Sequence, residues 1–304
     1  MEFLYILEGI RNPVFNFIME TVTHLGEETV FIVLAMILLW CVNKSEGYYM
    51  LTVGFVGTEI NQFLKVNFRV DRPWVRDPDF KAVEAAIPQA GGYSFPSGHT
   101  QTSVGVFGAI ARWTKNNIMR IICCILCIVV PFSRMYLGVH TPADVICSFV
   151  IALLLVFLFY PLFRKIEKKP HLYTVMLCIM TVVAVLQVIF MELYRFPADA
   201  DAEQIFSGLK NSYKMLGAIA GLLVAYVVEI KYIRFETKAV WWAQILKVAL
   251  GLGLTLLVKE LCYLVFGAFL PSPADRAFSY FFMVMFAGNV WPLTFKIFGR
   301  LGKR

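Results

Sequence analysis

Charge is scarce along this chain: Asp, Glu, Lys and Arg make up 16% of its 304 residues, while 59% are hydrophobic. A water-soluble domain needs a more polar surface, so the soluble classes are excluded and a membrane protein is expected. Histidine is rarer still, with four in the whole sequence. The seven cysteines (Cys41, Cys123, Cys124, Cys127, Cys147, Cys178, Cys262) all fall inside hydrophobic stretches. An odd number placed there argues against a disulfide framework, and Cys124–Cys127 has no second half of a zinc site, so all seven are expected as small core residues. No cleavable secretory leader is expected either. The first 28 residues carry Glu2, Glu8, Arg11, Glu20, Glu27 and Glu28, with no basic start followed by a clean apolar run. No internal repeat marks an inverted-repeat transporter. The formal net charge of +7 does not call for a nucleic-acid partner; it reflects topology.

What the chain has is apolar runs. A bilayer core needs about 20 apolar residues per helix, and nine such stretches occur, near residues 29–44, 47–68, 99–113, 118–138, 142–164, 171–192, 211–230, 240–268 and 274–298. The expected fold is all-α, a polytopic membrane helix bundle of about nine transmembrane helices. Ahead of them Phe3, Leu4, Ile6, Leu7, Ile10, Val14, Phe17 and Ile18 recur at helical spacing, which predicts an N-terminal interfacial amphipathic helix. Three regions result: 1–28, the interfacial helix; 29–165, which holds every chemical motif; and 166–304, a C-terminal extension of about four transmembrane helices.

Basic residues collect in alternate gaps: Lys44; Arg112, Lys115 and Arg120; Arg164, Lys165, Lys168 and Lys169; Lys231, Arg234 and Lys238; and finally Lys296, Arg300, Lys303 and Arg304. Short loops rich in Lys and Arg stay in the cytoplasm. Nine spans with an internal C-terminus place the N-terminus outside, in a multi-pass cell-membrane protein.

That topology brings three segments to the outer face. KVNFRVDRP closes the second span with Lys65, Arg72 and Pro73; FPSGHT opens the third with Pro96, Ser97, Gly98 and His99; SRMYLGVHTPADV joins the fourth and fifth with Ser133, Arg134, His140 and Asp144. Cations at membrane depth are costly unless paired or functional. Lys65, Arg72 and Arg134 offer donors suited to phosphate oxygens. Ser97 is a natural N-cap, which puts Gly98 and His99 in a first helical turn whose free N–H groups favour an anion. Thr141 is likewise an N-cap, Pro142 suits the first helical position, and Asp144 falls at the third, folding back toward the His140 ring. A carboxylate on one imidazole nitrogen leaves the other as a nucleophile, and His99 from a separate helix is placed to protonate a leaving oxygen. His24 and His171 have no evident partners and are expected at the interface.

These segments resemble the three signatures of the type 2 phosphatidic acid phosphatase superfamily: Lys, six residues, Arg-Pro; Pro-Ser-Gly-His; and Ser-Arg, five residues, His, three residues, Asp. The match has no departure in residue or spacing. The resemblance implies a membrane lipid phosphate or diphosphate phosphatase, acting on polyprenyl diphosphate, phosphatidylglycerophosphate or phosphatidic acid with no metal or other cofactor. It implies a phosphohistidine on His140, Asp144 orienting it, His99 as acid and then base, and Lys65, Arg72, Ser97, Gly98 and Arg134 holding the phosphate. The partners implied are the lipid substrate and the bilayer. A phosphotransferase passing the group to an acceptor lipid is the alternative, and a lipid transporter with a vestigial site a more distant one. Outside the resemblance, Lys259 and Glu260 lie near the outer end of the eighth span, each expected to need its own partner because adjacent helix positions diverge. Tyr194, Arg195, Asp199, Asp201 and Glu203 are read as an outer loop.

The outward-facing site predicts that a cysteine introduced at Ala85, in the loop before FPSGHT, reacts with a membrane-impermeant thiol reagent in intact cells. Reaction only after permeabilisation would invert the topology.

Overall fold

The computed structural model describes residues 1–301. Every regular element among them is helical: α1 (Glu2–Gly9), α2 (Pro13–Thr23), α3 (Glu28–Ile37), α4 (Lys44–Phe68), α5 (Pro73–Arg76), α6 (Gly98–Trp113), α7 (Asn117–Tyr136), α8 (Pro142–Ile166), α9 (His171–Leu193), α10 (Ala202–Val228), α11 (Trp241–Phe269), α12 (Ala274–Met285) and α13 (Phe295–Phe298). The chain folds into two compact units. One comprises Met1–Leu34, Tyr49–Leu162 and Pro197–Gly208; the other comprises Ala35–Tyr48, Phe163–Phe196 and the chain from Leu209 onward.

Six helices among the described residues are long and apolar enough to cross a bilayer: Asn117–Tyr136, Pro142–Ile166, His171–Leu193, Ala202–Ile233, Trp241–Phe269 and Ala274–Phe298. Pro13–Gly26 and Glu28–Val42 meet at 53° and make a seventh if the bent pair is one span. The chain is therefore a multi-span membrane protein, with six or seven spans on these criteria where nine were expected. The other two stretches do form helices, but neither passes on length and apolarity. α4 carries Lys44, Glu46, Glu59 and Lys65. α6 has 16 residues, about 24 Å at the helical rise, against a hydrocarbon core of about 30 Å. The reason lies in burial. α6 is enclosed along most of Thr100–Ala109, so protein rather than lipid is its solvent and its composition need not be lipid-like. α7, α8, α9 and α11 instead expose Ile121, Ile128, Leu154, Phe157, Val182, Leu186 and Leu257, a liability in water and the expected face in hydrocarbon.

The single amphipathic helix expected over residues 1–28 is in fact two. Asn12 Oδ1 accepts a hydrogen bond from Phe15 N at 3.0 Å, and Pro13 opens α2. Proline has no N–H to donate and clashes inside a helix, so the run breaks there. α1 buries Leu4 and Leu7 against Phe80. Arg11, in the corner, donates through Nε to Tyr136 O at 2.9 Å and through Nη1 to Lys81 O. α2 packs on α7 and α6 packs on α7, so the N-terminal helices are built into the first unit.

In the second unit, basic residues read from sequence as topology markers are also ion-paired. Lys44 meets the buried Glu229 at 2.5 Å, and Arg164 meets the buried Glu46. Lys247 is 1% exposed and donates to Trp40 O at 2.8 Å and Thr237 O at 3.1 Å. Lys259 and Glu260, expected to need separate partners, pair with each other at 3.0 Å: their Cβ atoms diverge, but both side chains are long enough to bend back. Not every cysteine is a core residue; all seven are free, and Cys124 and Cys178 are exposed. α10 begins well before the expected residue 211, because Asp201 Oδ1 accepts from Glu203 N at 2.9 Å and Gln204 N at 3.2 Å. Part of the expected outer loop is thus a helix cap. Lys303 and Arg304 lie outside the described residues.

α10 and α12 pack so closely that a Cβ at Gly217 would fall 2.0 Å from the main-chain oxygen of Ala277. Gly217→Ala is therefore expected to lower stability by about 1–3 kcal/mol through overpacking, read as a lower thermal midpoint in detergent. An unchanged midpoint would show that the two helices separate freely here.

Candidate active site

The three signature segments converge inside the first unit. Lys65 and Arg72 come from the end of α4 and the loop beyond it, Gly98 and His99 from the first turn of α6, Arg134 from the last turn of α7, and His140 from the loop before α8; all six line one cavity of about 310 Å³. Ser97 and Asp144 stand behind its wall, at 0% and 1% exposure.

The turn before α8 is built as its sequence suggests. Thr141 precedes the helix, Pro142 opens it, and Asp144 Oδ2 accepts from Thr141 N at 2.7 Å while Thr141 Oγ1 accepts from Asp144 N at 3.4 Å. Two orphan donors are satisfied reciprocally. The same Asp144 oxygen lies 3.5 Å from His140 Nδ1 and accepts from Ser94 Oγ at 2.7 Å, with Ser94 Oγ 3.4 Å from that ring nitrogen. Arg72 Nη1 lies 3.0 Å from His140 Nε2. An arginine only donates, so this network assigns the lone pair to Nε2 and the ring proton to Nδ1. Burial, and then the charges of Arg72, Arg134 and Lys65, hold His140 well below its ordinary range, so the ring is neutral.

The cations are held by neutral oxygens rather than carboxylates, main-chain ones for Arg72 and Lys65 and a hydroxyl for Arg134. Arg72 donates through Nε to Gly92 O at 3.0 Å, through Nη2 to Gly91 O at 2.8 Å and through Nη1 to Val139 O at 2.9 Å. Burial pushes it down to about 10, still protonated at neutral pH. Lys65 Nζ donates to Tyr93 O. Arg134 is fully buried; its Nη1 donates to Thr23 Oγ1 at 2.8 Å, while Nε and Nη2 have no partner. His99 Nε2 is buried and unpartnered as well. At the start of α6, Ser97 Oγ accepts from Thr100 N at 3.4 Å and Ser97 N donates to Asp144 O at 3.1 Å, tying the two motif helices together. Buried N–H groups without acceptors are costly, and here they surround a cavity: the arrangement fits a small anion with several oxygens.

Several residues of the site escape the sequence motifs. Ser94, one residue before Phe95, completes the Asp144–His140 network. Asn61 Nδ2 donates to Pro96 O at 3.3 Å and steadies the FPSGHT turn. Thr23, Glu27 and Glu28 belong to the N-terminal segment, yet Thr23 seats Arg134 and the two glutamates line the cavity. His24, expected without a partner, has one: its Nδ1 lies 2.5 Å from Glu27 Oε1. These contacts come from a remote part of the chain, and no local pattern announces them. His171 opens α9 in the second unit and is exposed. Of the expected outer loop, Asp201 approaches the site's surroundings, donating through its N–H to Tyr93 Oη at 3.2 Å. Among the described residues no group of three His, Cys, Asp or Glu side chains could hold a metal ion.

Comparison with known proteins bears on what this cavity belongs to. Residues 45–168 match the PAP2 superfamily model, and residues 213–304 match the model described as PAP2 superfamily phosphatase, transmembrane extension. Phosphatidylglycerophosphatase B of Bacillus subtilis is 30% identical over 174 residues, 52% of this chain and 80% of that one. The chain belongs to the PAP2 superfamily. It is an enzyme, a membrane phosphatase of PAP2 type. Undecaprenyl-diphosphatase BcrC of the same organism is 30% identical over 152 residues, 49% of this chain and 76% of that one. A probable sphingosine-1-phosphate phosphatase of Dictyostelium discoideum is 28% identical over 160 residues, 48% of this chain and 38% of that one. The crystal structure of a transmembrane PAP2 type phosphatidylglycerolphosphate phosphatase from Bacillus subtilis is 28% identical, covers 55% of this chain and 83% of that one, and has a TM-score of 0.44. The first PAP2 match contains all three motif segments of the cavity.

The neutral His140 has a consequence for stability. An exposed histidine in the unfolded chain takes up a proton near pH 6.5, whereas the buried ring stays neutral. Below that pH the unfolded state binds the extra proton, so stability is lost as pH falls, by up to about 1.4 kcal/mol per pH unit for this one group. The drop in thermal midpoint between about pH 7.5 and 5.5 should be smaller in His140→Asn than in the parent, because the variant lacks that group. An equal drop would mean His140 is protonated in the folded site.

Proposed function

We propose that this PAP2 phosphatase hydrolyses a membrane lipid phosphate or diphosphate through a phosphohistidine on His140, without a metal ion, at the outer face of the cell membrane. The carrying observation is the pairing of a neutral His140, its Nε2 lone pair toward the cavity, with buried N–H groups that lack acceptors. Phosphate oxygens are the acceptors that Arg134 and the first turn of α6 lack. Lys65, Arg72, Ser97 and Gly98 complete the cradle. Nε2 displaces Arg72 and attacks phosphorus; the bond to the leaving oxygen breaks as that oxygen takes a proton from His99. Asp144 and Ser94 keep the proton of the resulting imidazolium on Nδ1. Water then attacks the phosphohistidine, His99 accepts its proton, and inorganic phosphate leaves. A cavity wall of cations repels a divalent metal, which favours the metal-free route.

The substrate class is supported by relatives named for phosphatidylglycerophosphate, undecaprenyl diphosphate and sphingosine 1-phosphate. In the proposed topology the bent N-terminal pair is the first span, α4 and α6 are the second and third, and the six apolar helices bring the total to nine. In this topology Glu28–Val42 is the membrane-crossing part of that pair; α1 and α2 lie on the outer side, residues 29–165 carry the chemistry, and 166–304 form the extension.

The test divides labour between the histidines in rapid-quench kinetics with EDTA present. His140→Ala abolishes turnover on every substrate. His99→Ala loses the acid, worth about 10²–10⁴-fold where the leaving group is an alkoxide and little where it is a nitrophenolate. Given an activated ester, His99→Ala should release the leaving group in a burst and accumulate phosphoenzyme. Equal inactivity of both variants across all leaving groups, with folding and binding intact, would refute this assignment.

A further inference from the structure

The signature motifs account for the phosphate cradle but not for the wall facing it. Gly26, Glu27 and Glu28 line the cavity together with Phe31 of α3, Thr58 and Gln62 of α4, and Gln101 and Thr102 of α6. This wall touches His99 at Gly26. The turn His24–Gly26 packs on α6, and a Cβ at Gly26 would sit 2.9 Å from the main-chain oxygen of His99. Thr23, one residue before that turn, seats Arg134. If His99 serves the leaving oxygen, the space beside residues 26–28 is where the rest of the leaving group must sit. That space differs chemically from the cradle. Its charged residues are Glu27 and the exposed Glu28, and its remaining polar residues include Thr58, Thr102, Gln62 and Gln101. Glu27 is held in place by His24 at 2.5 Å, and its side chain keeps 35% of its surface exposed.

We infer that Glu27 and Glu28 are specificity-determining residues that select the leaving group, disfavouring a second phosphate and favouring an uncharged or cationic group with hydrogen-bond donors. The inference rests on the proposed roles of His99 and His140 and narrows the substrate to a phosphomonoester whose leaving group bears hydroxyl or amino groups. When a diphosphate places its terminal phosphate in the cradle, its inner phosphate has to stand against these two carboxylates. Two like charges at close range repel unless water or salt screens them. A hydroxylated headgroup, by contrast, can donate to both carboxylates and to the threonine and glutamine oxygens.

The test compares matched ligands that need no turnover. Binding of an alkyl phosphonate and of the alkyl methylenediphosphonate of the same chain length is measured in detergent for the parent, Glu27→Gln, Glu28→Gln and the double variant. Removing both charges should improve the diphosphonate relative to the phosphonate by about tenfold, less for each single change, and the gain should shrink at high salt. Glu28→Lys should shift the ratio further in the same direction. Glu28 also opens α3, where a carboxylate favours the helix N-terminus, so the ratio of the two affinities is the readout and overall stability is not. A ratio that stays constant across all variants overturns the inference. Hydrolysis is assayed separately on a lipid phosphomonoester and a prenyl diphosphate. An enzyme that binds both phosphonates but hydrolyses neither lipid would sink the proposed function, while the binding ratios would still judge the acidic wall on their own.

Discussion

The site in the first unit depends on keeping cations buried beside an open cavity with no carboxylate hydrogen-bonded to them. Desolvating a guanidinium is expensive, and the usual remedy, a neighbouring Asp or Glu, would occupy the very donors a phosphate needs. The fold uses main-chain oxygens instead. Gly91, Gly92 and Val139 seat Arg72, and Tyr93 seats Lys65. Carbonyl dipoles relieve part of the desolvation cost but carry no net charge, so the cradle around Lys65 and Arg72 stays positive. The loop between α5 and α6 therefore serves as scaffolding for charge, and its irregular backbone is what supplies carbonyls free of helical hydrogen bonds. Asp144 is the one carboxylate in the cluster, and its oxygens are turned to Thr141, Ser94 and the far side of the His140 ring.

Much of this was legible in sequence because it is local. Thr141, Pro142 and Asp144 fix a helix start whose geometry is nearly forced, and Ser97 does the same for α6; both caps appear where the residue types put them. What was not legible came from distance along the chain. Nothing around Thr23 or Glu27 signals that they stand beside Arg134 and His99, more than seventy residues later. His24 looked solitary because its partner is a carboxylate three positions on, in a turn rather than the amphipathic helix its surroundings suggested. The break at Asn12–Pro13 was there to be read, but the hydrophobic periodicity on either side outweighed it. The span count on length and apolarity falls below nine for a related reason. Apolarity measures contact with lipid, and α6 has little; a helix wrapped in protein and lining a polar cavity carries the threonines, serines and glutamine that its job requires.

The second unit handles charge by a different rule. Glu46 and Glu229 are buried beside Arg164 and Lys44, and Lys247 rests on two carbonyls with its ammonium 4.5 Å from the centre of the Phe295 ring. Each of these charges is matched or capped. The contrast separates structural charge from chemical charge within one chain: Glu46, Glu229 and Lys247 are buried with partners, while Arg134 is buried with Nε and Nη2 unpartnered beside the cavity.

The seat of Arg72 carries an implication for how this enzyme tolerates genetic change. Apart from the His140 ring, the hydrogen-bond acceptors of Arg72 are main-chain oxygens, and a main-chain oxygen survives any replacement of the side chain on the same residue. Mutation at Gly91, Gly92 or Val139 can disturb the seat only by bending the backbone, which for Gly92 means losing a φ of +71° that other residues rarely adopt. Within the main-chain seat, the vulnerability is thus concentrated on two positions, the arginine itself and one glycine.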